Sequence, residues 1–228
     1  MDNNLLALLQ LCDSNLPTGA FSHSFGLETY IQEDLVHNKA SLSQWIEVFL
    51  REQLVYTDGL ACRLAYEALE DNRLEDIWKL DQRLVAVILA QESREGSRRM
   101  GERLLTLGNQ LYPSLPLSEY GERVKAGTCH SHPALAFALI AHGLHIPKAT
   151  TVSSYLFSSL TSLIQNAVRG IPLGQTEGQQ LIKESAALIK GSCEFIETLT
   201  LEDFGVTAPG LEISQMRHER LNIRIFMS

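Results

Sequence analysis

Apolar residues recur at spacings of three and four along most of this chain. That regularity commits it to helices, because a strand needs alternation with a period of two. After Pro147, Val152, Tyr155, Leu156, Leu160, Leu163, Ile164 and Ala167 share one helical face, and Gly170 and Pro172 mark its end. Ile182, Ile189, Cys193 and Ile196 define the next helix, flanked by Leu181, Leu188 and Leu199. Leu74, Ile77, Trp78, Leu84, Val85 and Ile88 form another stripe. Capping-box patterns place helix starts at Ser41-Leu42-Ser43-Gln44, Asn72-Arg73-Leu74-Glu75 and Thr176-Glu177-Gly178-Gln179. Pro133 suits the first turn of a helix through Ala141.

The one hairpin-like signal, Asp58-Gly59, has helical spacing on both flanks and is read as a turn between two helices. No repeat, low-complexity tract or long linker interrupts the pattern. The expected fold is therefore an all-α, single-domain helical bundle over residues 1–204. Near Phe204-Gly205 the composition changes. Residues 205–228 hold Pro209, Gly210 and three arginines against two glutamates, on a body that is otherwise acidic. This segment is read as a flexible C-terminal arm that orders on a partner.

Charge and length narrow the function classes. The net charge is −8 and the pI about 5.4, a poor match to phosphate backbones, so no nucleic-acid partner is expected. No polybasic cluster meets anionic lipid and no apolar run can span a bilayer, so no membrane partner is expected either. The N-terminal segment carries Asp2 where a signal peptide has positive charge. Cys12, Cys62, Cys129 and Cys193 are scattered, and a chain of 228 residues can bury a core without disulfides. These features fit a reducing cytoplasm.

Catalytic signatures are missing: no P-loop, no GxSxG elbow, no HExxH and no dinucleotide fingerprint. Ser22-His23 and Ser131-His132 are adjacent pairs, which point in different directions on a helix. Cys129-His130-Ser131-His132 is the best metal-like cluster, with ligand types that suit nickel or zinc. Its ligands are crowded and no second pair follows at a matching spacing. The alternative is that the histidines cap or pack at the helix start before Pro133. Arg94, Arg98, Arg99 and Arg103 lie near one helical face, interleaved with Glu92, Glu95 and Glu102. They form either a solvated, salt-bridged surface or a partner-facing patch.

Five segments together resemble the UreF family of urease accessory proteins. Leu16-Pro17-Thr18-Gly19-Ala20-Phe21-Ser22-His23-Ser24-Phe25-Gly26-Leu27-Glu28 is similar to the family's LPxGxFxxSxGLE signature. Ser93 to Gly101 is similar to its Arg- and Ser-rich middle helix, and His130 to Phe137 to its histidine-proline helix start. Ala167-Val168-Arg169-Gly170-Ile171-Pro172-Leu173-Gly174-Gln175-Thr176 resembles AVRxxPLGQ. His218-Glu219-Arg220 and Arg224-Ile225-Phe226-Met227-Ser228 resemble a terminal HE-to-RLFxS arm, with Ile225 in place of leucine.

The resemblance implies an all-α fold and a non-enzymatic job in urease maturation. The partners it implies are UreD (called UreH in some bacteria), the GTPase UreG and apo-urease (UreABC), together with a homodimer of the chain itself. It implies no cofactor of the chain's own, with nickel passing through the complex. The residues expected to meet partners are Arg220, Ile223, Arg224, Ile225 and Phe226 of the arm, Pro17 and Phe21 of the turn, and Arg169 and Gln175. Arg169 either fixes its turn or faces a partner, and Gln175 either caps the next helix or lines a polar channel.

Overall fold

A computed structural model describes residues 3–228. Met1 and Asp2, and with them the charge at the head of the N-terminal segment, lie outside the described residues. Among the described residues there is no strand, and helices account for the architecture. They are α1 (Asn3–Leu11), α2 (Leu27–Gln32), α3 (Lys39–Phe49), α4 (Leu60–Glu70), α5 (Leu74–Val87), α6 (Gln91–Leu111), α7 (Ser118–Lys125), α8 (Pro133–Gly143), α9 (Lys148–Gly170), α10 (Gln175–Ile196) and α11 (Pro209–His218). None of the described helices is long and apolar enough to cross a membrane.

The bundle is organised around α8. Every residue from Pro133 to Ala141 is buried, as expected of a helix apolar on all sides. α4, α6 and α9 surround it. Fully buried side chains such as Leu135 and Ile140 each contribute about 1.5–3 kcal/mol of burial free energy. α10 lies along α9, and the stripe Val152, Tyr155, Leu156, Leu160, Leu163, Ile164 and Ala167 is buried as the spacing predicts.

Helix starts follow the sequence to within a few residues. The N-cap of α3 lies three residues before the expected Ser41: it is Asn38, its Oδ1 accepting from Ser41 N at 3.0 Å. α10 begins at Gly174–Gln175, with Glu177 reaching back to accept from Gly174 N at 3.0 Å. The box expected at Asn72 does not form; Asn72 is left-handed (φ 55°) and α5 starts without a side-chain cap. His132 is the N-cap of α8, its Nδ1 accepting from Ala134 N at 3.3 Å.

The Asp58-Gly59 turn is corrected. Residues Leu50–Gly59 are a π-helical segment joining α3 to α4 in one continuous helix. Gly59 is right-handed (φ −65°) and serves close packing: a methyl there would lie 2.7 Å from Ile196 Cδ1. Asp58 is held by the Tyr155 hydroxyl at 2.7 Å and the Thr57 hydroxyl at 3.0 Å. Tertiary partners thus override the local turn preference.

The flexible arm expected from residue 205 is also not what the structure presents. Pro209 opens α11, which packs against α2 and α6, and the irregular tail beyond it lies on the body with Phe226 and Ser228 buried. α11 turns a mostly polar face to the body (Leu211, Glu212, Ser214, Gln215 and His218), and these residues with the hydrogen bonds described next seat the segment within its own chain.

Candidate functional site

Three of the sequence motifs meet at one end of the bundle. The turn after α1 is tied to α6 by Arg103 Nε, which donates to Pro17 O at 3.1 Å. Gly19 takes a left-handed conformation (φ 91°) that starts a short 3-10 turn at Ala20–Ser22. This leaves Phe21 60% exposed. α9 supports the same turn from beneath: Asn166 Nδ2 donates to His23 O at 2.7 Å, and Arg169 donates to Phe21 O and Asn166 Oδ1.

The C-terminal tail closes over this turn. Met227 N donates to Ser22 O at 2.7 Å, and Ser24 N and Phe25 N both donate to Ser228 O, at 2.5 and 3.2 Å. His23 Nδ1 and Ser228 Oγ are 2.8 Å apart. The Arg169 guanidinium lies 5.0 Å from the Phe226 ring centroid and 6.0 Å from that of Phe21, so one cation stacks near both aromatics. Of its two open readings, fixing the turn is the one these contacts describe.

In the tail Ile223, Arg224, Ile225 and Met227 are exposed, Arg224 being ion-paired, whereas Phe226 and Ser228 are buried. Its fasteners are two carboxylates and an imidazole. Glu28 accepts from Ile225 N at 2.5 Å and from Phe226 N at 3.0 Å. Glu92 on α6 pairs with Arg224 at 2.6 Å. His218, at the end of α11 and fully buried, lies between them, Nε2 at 2.8 Å from Glu28 and Nδ1 at 2.7 Å from Glu92.

Burial would raise the Glu92 carboxyl, but the hydrogen bonds from His218 and Arg224 outweigh it and hold the group below the usual glutamate range. Burial, reinforced by the Arg99 and His218 charges and opposed by Glu92, holds His23 below the ordinary histidine value.

The face therefore gathers Pro17, Phe21, Arg169, Ile223, Arg224, Ile225 and Phe226. Arg220 is exposed just before the tail. Gln175 stands exposed at the start of α10, with no side-chain bond to these segments. The arginine stripe of α6 is largely occupied internally: Arg98 pairs with Glu95 and Glu102, Arg94 donates to Ile88 O, and Arg103 holds the turn.

Cys129, His130 and His132 belong to a different locus, the loop before α8. Asp81, fully buried, accepts from the Tyr120 hydroxyl at 2.5 Å, His130 N at 2.5 Å and Ser131 N at 3.0 Å, and this fixes the loop. Burial pushes the Cys129 thiol up to about 11, and His132 uses its Nδ1 as the helix cap. Among the described residues, no three His, Cys, Asp or Glu side chains are placed to hold a metal ion.

Sequence reasoning gave no role to Glu28, Glu92 or His218. Glu28 and His218 lie inside the quoted motifs, and Glu92 lies in the arginine-glutamate stripe. What was missing is their pairing across 126 and 190 positions of sequence.

Comparison with known proteins adds an independent line. The family model for UreF matches residues 36–186. The chain is 68% identical over 228 residues, all of both chains, to a urease accessory protein UreF of Lachnoclostridium phytofermentans. It is 52% identical over 226 residues to one from Bacillus sp. (strain TB-90), covering 99% of this chain and 100% of that one. It is 48% identical over 223 residues to one from Arthrobacter sp. (strain FB24), covering 98% and 96%.

Proposed function

Since this chain belongs to the UreF family of urease accessory proteins, we propose that it is the scaffold that bridges UreD/UreH and the GTPase UreG during GTP-dependent nickel insertion into apo-urease. The observation that carries this reading is the composite face. Phe21, Ile223, Ile225 and Met227 are large apolar side chains left exposed on a backbone that hydrogen bonds hold in place. Interface energy concentrates in a few aromatic, aliphatic and arginine anchors, and pre-ordered anchors lose less entropy on binding. UreD/UreH is the partner assigned to this face, with Arg220 at its margin.

The chain does no bond chemistry in this reading. It couples sites by binding one nucleotide state of UreG more tightly than the other, since only differential affinity can shift an equilibrium. Nickel passes through the assembled complex, the protein works as a homodimer, and the setting is the cytoplasm.

The test is copurification with UreD/UreH and UreG, followed by urease activation with and without the chain. UreG affinity is measured in GDP and GTP-analogue states. A complex that forms, activates urease and favours one nucleotide state supports the proposal. Equal affinity in both states removes the coupling, and undiminished urease activation without the chain removes the scaffold.

A further inference from the structure

We propose that the cavity bounded by the turn after α1, the π-helical segment and α9 is a binding site for a small organic ammonium ion, a cationic head on an apolar body, with the Asp58 carboxylate as its counter-ion. The cavity measures about 130 Å³. An apolar cavity of about 150 Å³ takes up benzene, which sets the size of the body. The exposed residues Asp13, Ser14 and Phe21 rim the cavity beside the turn. Its walls are apolar and come from the turn, α3, α6, α8 and α9: Leu16, Phe25, Phe49, Leu104, Phe137 and Leu163.

The π-helical segment supplies the polar end. A π-turn bonds residues five apart, where an α-turn bonds residues four apart, so side chains five apart fall on one side of it. Gln53 and Asp58 are such a pair, and both line the cavity. α9 adds Ser158, Ser159 and Ser162. The Asp58 carboxylate is short of donors. Its Oδ1 accepts from the Tyr155 hydroxyl at 2.7 Å. Its Oδ2 has Thr57 Oγ1 at 3.0 Å, but the single hydrogen of that hydroxyl is shared with Gln53 O at 2.8 Å. No lysine or arginine lines the cavity. His23 lines it and His132 lies within electrostatic reach of Asp58, yet burial holds both below the ordinary histidine value. The fixed charge of the cavity is therefore negative.

This chemistry selects among ligand classes. A divalent metal needs several hard or soft ligand atoms converging on it. Here one inner carboxylate stands among hydroxyls and hydrocarbon, and among the described residues no three His, Cys, Asp or Glu side chains are placed to hold a metal ion. An anion would meet Asp13 at the rim and Asp58 within. A neutral apolar molecule would cover Asp58 and leave its oxygen without a donor, which is costly. An ammonium ion offers Asp58 a charge-assisted N–H bond, and the apolar walls cover the rest of the molecule.

The site belongs to the isolated chain, so its test needs no partner. The full chain is titrated at pH 7 with benzylamine, which is protonated there, and followed by amide chemical shifts. Benzyl alcohol, of the same shape without the charge, is titrated in parallel. Benzylammonium should saturate with a Kd of about 1 mM or tighter. Benzyl alcohol should bind at least about tenfold more weakly, the value of one charge-assisted bond over a neutral one. Asp58→Asn keeps an acceptor for Tyr155 and should weaken benzylammonium at least about tenfold while leaving benzyl alcohol unchanged.

Absence of saturable binding up to about 20 mM overturns the proposal. Equal affinity for the amine and the alcohol overturns it too, as does undiminished amine binding by Asp58→Asn. If Asp58→Asn fails to fold, Ser162→Leu decides in its place. That side chain fills the cavity and leaves Asp58 intact, so benzylammonium binding should be lost, and native-strength binding overturns the site.

Discussion

Asp81 shows how much one side chain can fix. Its carboxylate is fully buried and satisfies the Tyr120 hydroxyl and two amides of the loop before α8. Asp81→Ala would leave those donors unpaired in the core, at a cost of about 3–5 kcal/mol. Thermal unfolding should show Tm lower by roughly 6–20 °C, at about 2–4 °C per kcal/mol for a chain of this size. Gly96 is a steric counterpart. A methyl at that position would lie 2.7 Å from the His23 ring, so Gly96→Ala must displace the imidazole that bonds Ser228. A loss of about 1–3 kcal/mol in urea unfolding is expected. Glu212 has the opposite sign. It is buried, its Oε2 lacks a partner, and burial raises its carboxyl above the ordinary value. A raised folded value means that the native state binds the proton more readily, so this group's contribution to stability falls as pH rises through that interval. Glu212→Gln should therefore raise stability near pH 7, by on the order of 1 kcal/mol.

At the scale of elements, the tail and α11 form a unit whose docking depends on charge. Glu92 sits below the usual glutamate range in the docked state. Its contribution is present above the value of the undocked carboxyl, about 4.5, and is lost as pH falls from there through the docked value. Tail protection measured by hydrogen exchange should hold at pH 5 and decline below pH 4.5; a decline that begins near pH 6 would contradict the assignment of Glu92. The same element marks where sequence reasoning ran out. Residues 205–228 looked like a loose arm because Pro209, Gly210 and the arginines say nothing of partners far away in sequence. Glu28 and Glu92, which capture the segment, are 190 and 126 positions from His218. By contrast α9 and α10 were legible residue by residue, since an amphipathic stripe reports its own burial. The π-helical stretch from Leu50 to Gly59 was not. Asp58-Gly59 carries a real local turn preference, and only Tyr155 and Ile196, each from a distant helix, overrule it.

Seen as a whole, the molecule is a helical bundle that holds a small, chemically mixed face at one end. Its core was foreseeable from periodicity, and membership of the UreF family from motif order. The assembly of the face was foreseeable only in part. Phe21, Arg169 and Phe226 were singled out from separate motifs, and Arg169 turns out to join the other two by stacking near both rings. Gln175 and the Cys129-His130-His132 cluster have no share in it, because Gln175 points outward at a helix start and the cluster is used to shape the loop before α8. The seated tail is proposed to be a docking surface. The most direct test substitutes only its outward side chains, Ile223→Asp, Ile225→Asp and Met227→Asp, in one chain and titrates it with purified UreD/UreH. These side chains are exposed, so helix content and Tm should stay close to those of the native chain. Affinity should fall by at least about 100-fold, the loss of two or more anchor residues. Native-strength binding by the triple variant would contradict the claim.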